Sequence, residues 1–241
     1  MDLTFAIIFL AAFIASTTQR VTGFGFGMLF MTVSPYLMPS YPEATALSGL
    51  LALCCALVTG IQYFRYVPWK KLVPILVTVL AVSCIAVFIV GRLESSVMRK
   101  VLGCILIFLS FYFGFIKKHI KMKPSLPVQI GMGTVSGLTG GLFAMQGPPA
   151  VIYFVSCTEV KEEYMAITQW FFIITNTFMS VTRAANGFVT SSVLWGWAVG
   201  VAAVMLGLFV GAKIYARVPI VAVRKSVYVF IGVAGIIALF S

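Results

Sequence analysis

Residues 20–27 read Arg20-Val21-Thr22-Gly23-Phe24-Gly25-Phe26-Gly27, and residues 139–149 read Thr139-Gly140-Gly141-Leu142-Phe143-Ala144-Met145-Gln146-Gly147-Pro148-Pro149. Both stretches lie inside apolar segments. A glycine weakens a helix by roughly 1 kcal/mol relative to alanine, so both segments are expected to break there. A helix that stops inside a membrane leaves unpaired N–H groups with a partial positive charge, and two such tips facing each other make a small anion site. Gly23, Gly25 and Gly27 let backbone approach a ligand from one side, and Gly140, Gly141 and Gly147 from the other; Thr22 and Phe24 complete the first half of the candidate site. Pro148 and Pro149 suit the first turn of a new helix, where a missing N–H costs least. Arg20 offers a planar fork matched to sulfonate, sulfite or carboxylate oxygens, and Gln19, Gln146 and Asn176 are candidates for the remaining oxygens. Plainer roles stand beside these. The glycines also suit close helix packing, Arg20 also suits an interface or a lipid phosphate, and Asn176 an interhelical hydrogen bond.

The two stretches share Thr-Gly, Phe and Met at a constant offset of 117 residues. Paired, interrupted hydrophobic segments in the two halves of a chain point to the binding site of a transporter. Of 241 residues, 61% are hydrophobic and 10% charged, against about 25% charged in soluble domains, so the class is a polytopic helical membrane protein. The net charge of +11 then reflects basic loops rather than nucleic-acid binding. Five cysteines and the single histidine, His119, have no metal-ligand spacing, and neither cofactor nor metal is expected. No basic residue precedes Arg20, so the first apolar span is expected to be retained rather than cleaved as a signal peptide.

The elements that position the breaks follow in order. Residues 3–18 are apolar but short of the roughly 20 needed to span. They run into the break at 20–27 and continue as 28–38. Spans are expected at 44–63, 72–90 and 101–116, and a basic loop at 117–123 marks the midpoint. The second half repeats the plan: an interrupted segment at 128–158, then spans at 164–182, 193–212 and 227–240. Residues 1–124 and 125–241 are thus two repeats forming one transmembrane domain. Arg183 is read as part of the turn before Asn186-Gly187, leaving Arg20 as the one deep basic residue.

Charge decides the topology. If both interrupted segments cross the membrane, eight Lys/Arg fall on each side. If the second is a re-entrant hairpin, loops 65–71, 117–123, 161 and 213–225 share one side with 12 Lys/Arg, facing 4 in loops 92–100 and at 183. Basic residues collect on the cytoplasmic side, which favours the hairpin. Repeat symmetry extends it to the first half. Each half then makes three crossings, so the expected fold is all-α with two inverted repeats, each a hairpin-like interrupted segment plus three transmembrane helices.

Thr22-Gly23-Phe24-Gly25-Phe26-Gly27 with Pro35, and Gly133, Gly137, Gly140-Gly141 and Pro148-Pro149, resemble the two signatures of the sulfite exporter TauE/SafE family. The resemblance covers essentially the whole chain. It departs from the usual glycine triplet, with Phe24 and Phe26 between glycines and only a Gly-Gly pair in the second motif. It implies transport of sulfite, organosulfonates or related small anions across the cell (inner) membrane.

The expected function is therefore a secondary carrier, an exporter, of small sulfur-containing or organic anions by alternating access, with membrane lipids around it and a homodimer as one open assembly state. An anion channel, or a carrier of small carboxylates such as lactate, is the alternative. None of the six acidic residues lies deep in an apolar span, which argues against a carboxylate proton relay. Membrane potential alone supplies about 2.3 kcal/mol per charge per 100 mV; sodium held by freed carbonyls is a second coupling scheme. An intramembrane enzyme would need a nucleophile–base pair or a metal cluster, and no histidine, aspartate or glutamate stands at membrane depth to build one.

Overall fold

The computed structural model describes residues 3–115, 125–215 and 236, and every regular element among them is a helix. The elements are α1 (Leu3–Thr22), α2 (Phe26–Phe30), α3 (Ser34–Leu37), α4 (Tyr41–Gln62), a 3-10 turn (Phe64–Tyr66), α5 (Trp69–Val90), α6 (Ser95–Phe115), α7 (Leu126–Phe143), α8 (Gly147–Cys157), α9 (Lys161–Ala185) and α10 (Ser191–Tyr215). The expected span at 227–240 and the basic loop at 117–123 lie outside the described residues. Among the described residues four helices, α1, α4, α5 and α10, are long and apolar enough to cross a membrane. The first of these corrects the expectation that residues 3–18 end short: α1 continues through Arg20 to Thr22, because Gly23 is the first residue whose backbone leaves the helix.

Local chemistry sets the boundaries. Ser40 and Glu43 form a reciprocal cap on α4, with Pro42 in its first turn: the Ser40 hydroxyl accepts from the Glu43 N–H at 3.4 Å and donates to Glu43 Oε1 at 3.1 Å. α1 ends where Gly23 turns left-handed (φ 87°) and donates its N–H to the Gln19 carbonyl at 2.8 Å. α7 ends on Ala144, a non-glycine left-handed residue (φ 54°), whose N–H reaches the Gly140 carbonyl at 3.0 Å. The left-handed residues Gly23 and Ala144 stand 121 residues apart, as do the following helix starts, Phe26 and Gly147. That spacing differs from the offset of 117 at which Thr-Gly, Phe and Met recur in the sequence.

Contacts between side chains give the direction of each helix. Gly133, Gly137 and Gly141 of α7 meet Thr78, Val82 and Ala86 of α5 in the same order, so these helices run parallel. Gly207 and Gly211 of α10 meet Ser16 and Arg20 of α1 in the same order, again parallel. Gly49 of α4 meets Arg183 of α9 while Gly60 meets Ile173, so α4 and α9 are antiparallel. The main packing contacts are α1 on α10, α5 on α7, α4 on α10 and α5 on α9, with α4 on α9 at the centre and α2 and α8 seated on α1 and α7. The halves interlock rather than pack as separate bodies. Glycines allow the close approach that drives helix association where water cannot.

The second interrupted segment doubles back. Gln129, near the start of α7, donates its amide N–H to the Tyr153 hydroxyl near the end of α8 at 2.8 Å. Lys71 Nζ, at the start of α5, donates to the Cys157 carbonyl at 2.9 Å and to Glu163 at 2.8 Å. The ends of the 65–71 and 158–161 connections therefore meet, and Gly91 meets Phe188 at the opposite end.

Candidate functional site

α9 runs through the middle of the bundle and carries the polar face. Thr168, Gln169, Thr175, Asn176, Ser180 and Arg183 are all buried. Buried amides must find partners, and here the partners are the two helix breaks. Gln169 Nε2 donates to the Gly23 carbonyl at 2.7 Å, and Gln19 Nε2 donates to Gln169 Oε1 at 3.3 Å. On the other break, Gln146 Nε2 donates to Asn176 Oδ1 at 2.8 Å. The two breaks also touch each other. A side chain on Gly27 would strike the Ala144 carbonyl, and one on Gly147 would come 4.0 Å from Phe24 Cβ.

Where they meet there is a small cavity. Of the residues singled out from the sequence, Gln19, Gly25, Gly27, Gln146, Gly147, Pro148 and Asn176 line it. Phe26, Met28, Ala52, Ala144, Met145 and Phe172 complete the wall. Sequence reasoning missed these apolar groups because nothing in their type separates a cavity wall from ordinary core. The space open to the centre of a water molecule is about 20 Å³. That is enough for roughly one water. No charged side chain lines the cavity. Two amide atoms at the cavity, Gln146 Oε1 and Asn176 Nδ2, are buried without a hydrogen-bond partner among the described residues.

The other candidates lie elsewhere. Arg20 turns away from the cavity and donates from Nη2 to Gln62 Oε1 at 2.9 Å, at the end of α4. The Thr22 hydroxyl donates to the Phe24 carbonyl at 2.6 Å and so shapes the break from within. Phe24 is buried beside Gly147. A side chain on Gly23 would come 3.0 Å from the Tyr164 ring. Gly140 packs on Gln146 and Met179, and Gly141 on Ala86 and Ser83 of α5. Their absent side chains serve helix contact rather than ligand approach.

Two expectations about charge also change. Arg183 is not a turn residue: it lies within α9, fully buried, and donates from Nη2 to the Gly140 and Gly141 carbonyls at 2.9 and 3.3 Å. A helix end pointing its bare carbonyls inward attracts a cation, which is the signal that would have found it. Nor do the helix N-termini supply most of the donors. α2 has only five residues, and Pro148 and Pro149 remove two N–H groups from the first turn of α8. Side-chain amides carry that part. Among the described residues no three His, Cys, Asp or Glu side chains gather as a metal site.

Interlocked helices, several of membrane length, around a buried polar centre define a multi-pass membrane protein. The chain belongs to the sulfite exporter TauE/SafE family, whose model matches residues 8–238. It is similar to a probable sulfite/organosulfonate exporter TauE of Cupriavidus necator, with 26% identity over 208 residues, covering 81% of this chain and 78% of that one. No solved structure matches it.

Proposed function

We propose that this protein exports sulfite or small organosulfonate anions across the inner membrane by alternating access, holding the anion between the two helix breaks. The observation that carries the reading is the convergence of both breaks on one cavity that contains an unpartnered amide donor, Asn176 Nδ2. Gln146 and Gln19 rotate their amides to the remaining oxygens, and the Gly147 N–H adds a backbone donor. Neutral donors suit an anion that must leave again, since a paired charge would hold it too tightly.

α1, α4 and α10 run one way and α5, α7 and α9 the other, which supports the reading of two inverted repeats and the motion it implies. Both interrupted segments are then re-entrant hairpins meeting tip to tip. With room for about one water, the cavity is closed on an anion of four or more heavy atoms. The tips must part for substrate to enter, first toward one face and then the other.

The test is binding and efflux with the purified protein. Sulfite or sulfoacetate at about 100 times its dissociation constant should stabilise the fold by roughly 2.7 kcal/mol in a thermal melt, while taurine and lactate should not. Gln146→Ala and Asn176→Ala should each weaken sulfite binding about tenfold, the size of one hydrogen bond to a charged group. Full affinity in both variants removes the cavity as the binding site.

A further inference from the structure

A line of buried polar atoms leaves the central cavity along the seam between α4 and α9. On α9 it passes from Asn176 to Ser180 and Arg183, spaced so that all three share one face. On α4 it passes from the cavity residue Ala52 to Ser48 and then Tyr41, again one face. Ser180 Oγ, Ser48 Oγ, Tyr41 Oη and both Arg183 Nε and Nη1 have no hydrogen-bond partner among the described residues, and all four residues are at least nine-tenths buried. Gly49 brings two of these groups to the same space: a methyl group placed there would lie 2.9 Å from Arg183 Nη1 and 3.5 Å from Ser180 Oγ. The far end of α7 closes the group. Arg183 Nη2 holds its Gly140 and Gly141 carbonyls, and the Tyr41 ring meets Phe143 edge-on at 6.4 Å.

This concentration of unpartnered polar atoms is costly unless something uses it. A buried guanidinium with no carboxylate beside it is the most expensive member. The ion pair of Lys71 with Glu163 lies at the other end of the bundle. Two carbonyls satisfy one of the guanidinium nitrogens and leave the positive charge uncompensated.

We propose that Arg183, Ser180, Ser48 and Tyr41 form a second binding station for a small oxyanion, through which the substrate passes between the central cavity and the membrane face at the start of α4. The proposal rests on the exporter reading above and adds its route. Seven residues of helix separate Asn176 from Arg183, about 10 Å along the axis. An anion released by Asn176 meets the serine hydroxyls midway and the guanidinium at the end. The gap beside Gly49 is methyl-sized, so passage requires the seam to widen, in step with the parting tips. Arg183 Nη2 keeps its hold on the carbonyl end of α7 while the unpartnered Nε and Nη1 are open to the arriving anion.

The hydroxyls give a clean test. They have no partner to lose, so Ser48→Ala, Ser180→Ala and Tyr41→Phe should leave melting temperature unchanged or raised. Sulfite efflux from proteoliposomes and calorimetric sulfite binding are measured on each. The expected result is unchanged sulfite affinity with efflux slowed about tenfold in Ser48→Ala/Ser180→Ala, the loss of hydrogen bonds to a passing anion. Tyr41→Phe should slow it to a lesser degree. Arg183→Lys should keep part of the rate and Arg183→Gln none, but that pair also tests the hairpin anchor. Efflux at the wild-type rate in the double serine variant and in Tyr41→Phe overturns the route while leaving the central site standing. Normal sulfite affinity in Asn176→Ala and Gln146→Ala overturns the central site instead. A wild-type protein that neither binds nor moves sulfite or sulfoacetate sinks both.

Discussion

Arg20 and Arg183 exchange the roles their sequence contexts imply. Arg20 stands three residues before a glycine motif, yet it reaches outward to Gln62. Arg183 stands among residues that read as a turn, yet it is fully buried against the end of α7. Arg20→Gln is therefore expected to leave sulfite affinity within about twofold of wild type, a difference well under one hydrogen bond to a charged group. Calorimetric titration checks it, and a tenfold loss would return Arg20 to the site. Gly27 makes a stricter prediction. A methyl group there meets the Ala144 carbonyl of the opposite break, so Gly27→Ala should destabilise the protein by about 1–3 kcal/mol, the usual cost of overpacking. It should also lower sulfite affinity, because the wall it moves belongs to the cavity. A thermal melt and a titration of the same sample read both, and an unchanged melt would mean the two breaks do not abut.

Helix contacts are written in small residues. Gly133, Gly137 and Gly141 recur every four residues along α7 and seat it on α5. A side chain at Gly137 would come 2.8 Å from Val82 and 3.0 Å from the Val79 carbonyl, whereas one at Gly131 would meet nothing within 4 Å. Gly137→Val should cost about 1–3 kcal/mol of stability and Gly131→Val far less. Detergent melting curves of the two, side by side, separate packing from a general intolerance of glycine replacement. The four-residue spacing on α7 is legible in the amino-acid sequence by itself. The helix it faces is not, since α5 lies in the other half of the chain and its Thr78, Val82 and Ala86 look like any span. α9 shows the reverse case. Its polar residues read as exceptions inside a membrane span, but in the bundle they are the centre, because the breaks of both halves need donors and acceptors there.

At the scale of the whole molecule, the connections 65–71 and 158–163 meet at one end of the bundle through Lys71 and Glu163, and 91–94 and 186–190 approach at the other through Gly91 and Phe188. Single cysteines at Lys70 and Lys161, in a cysteine-free background, should therefore react with an impermeant thiol reagent from the same membrane face, and those at Arg92 and Gly187 from the opposite one. Labelling of Lys70 and Lys161 from different faces would show that α7 and α8 cross the membrane as one kinked span. The charge count anticipated this grouping for 65–71 and 161, because every connection kept on the cytoplasmic side adds its lysines and arginines to one total. It did not depend on knowing any contact.

Composition and two glycine-broken segments determined a helical membrane protein whose apolar helices break at two places, since hydrophobicity and backbone cost are local properties that each residue carries alone. Which of those residues face the centre was decided only by tertiary structure. The left-handed turns at Gly23 and Ala144 end α1 and α7, and the packing around them places Gln146 and Asn176 at the cavity while Arg20 reaches Gln62 and Gly140 and Gly141 go to helix contacts. Arg183 joins the interior for the same reason. Its partners are the carbonyls of α7, more than 40 residues away in the chain, and only the packing of α9 against both breaks brings them within hydrogen-bond reach.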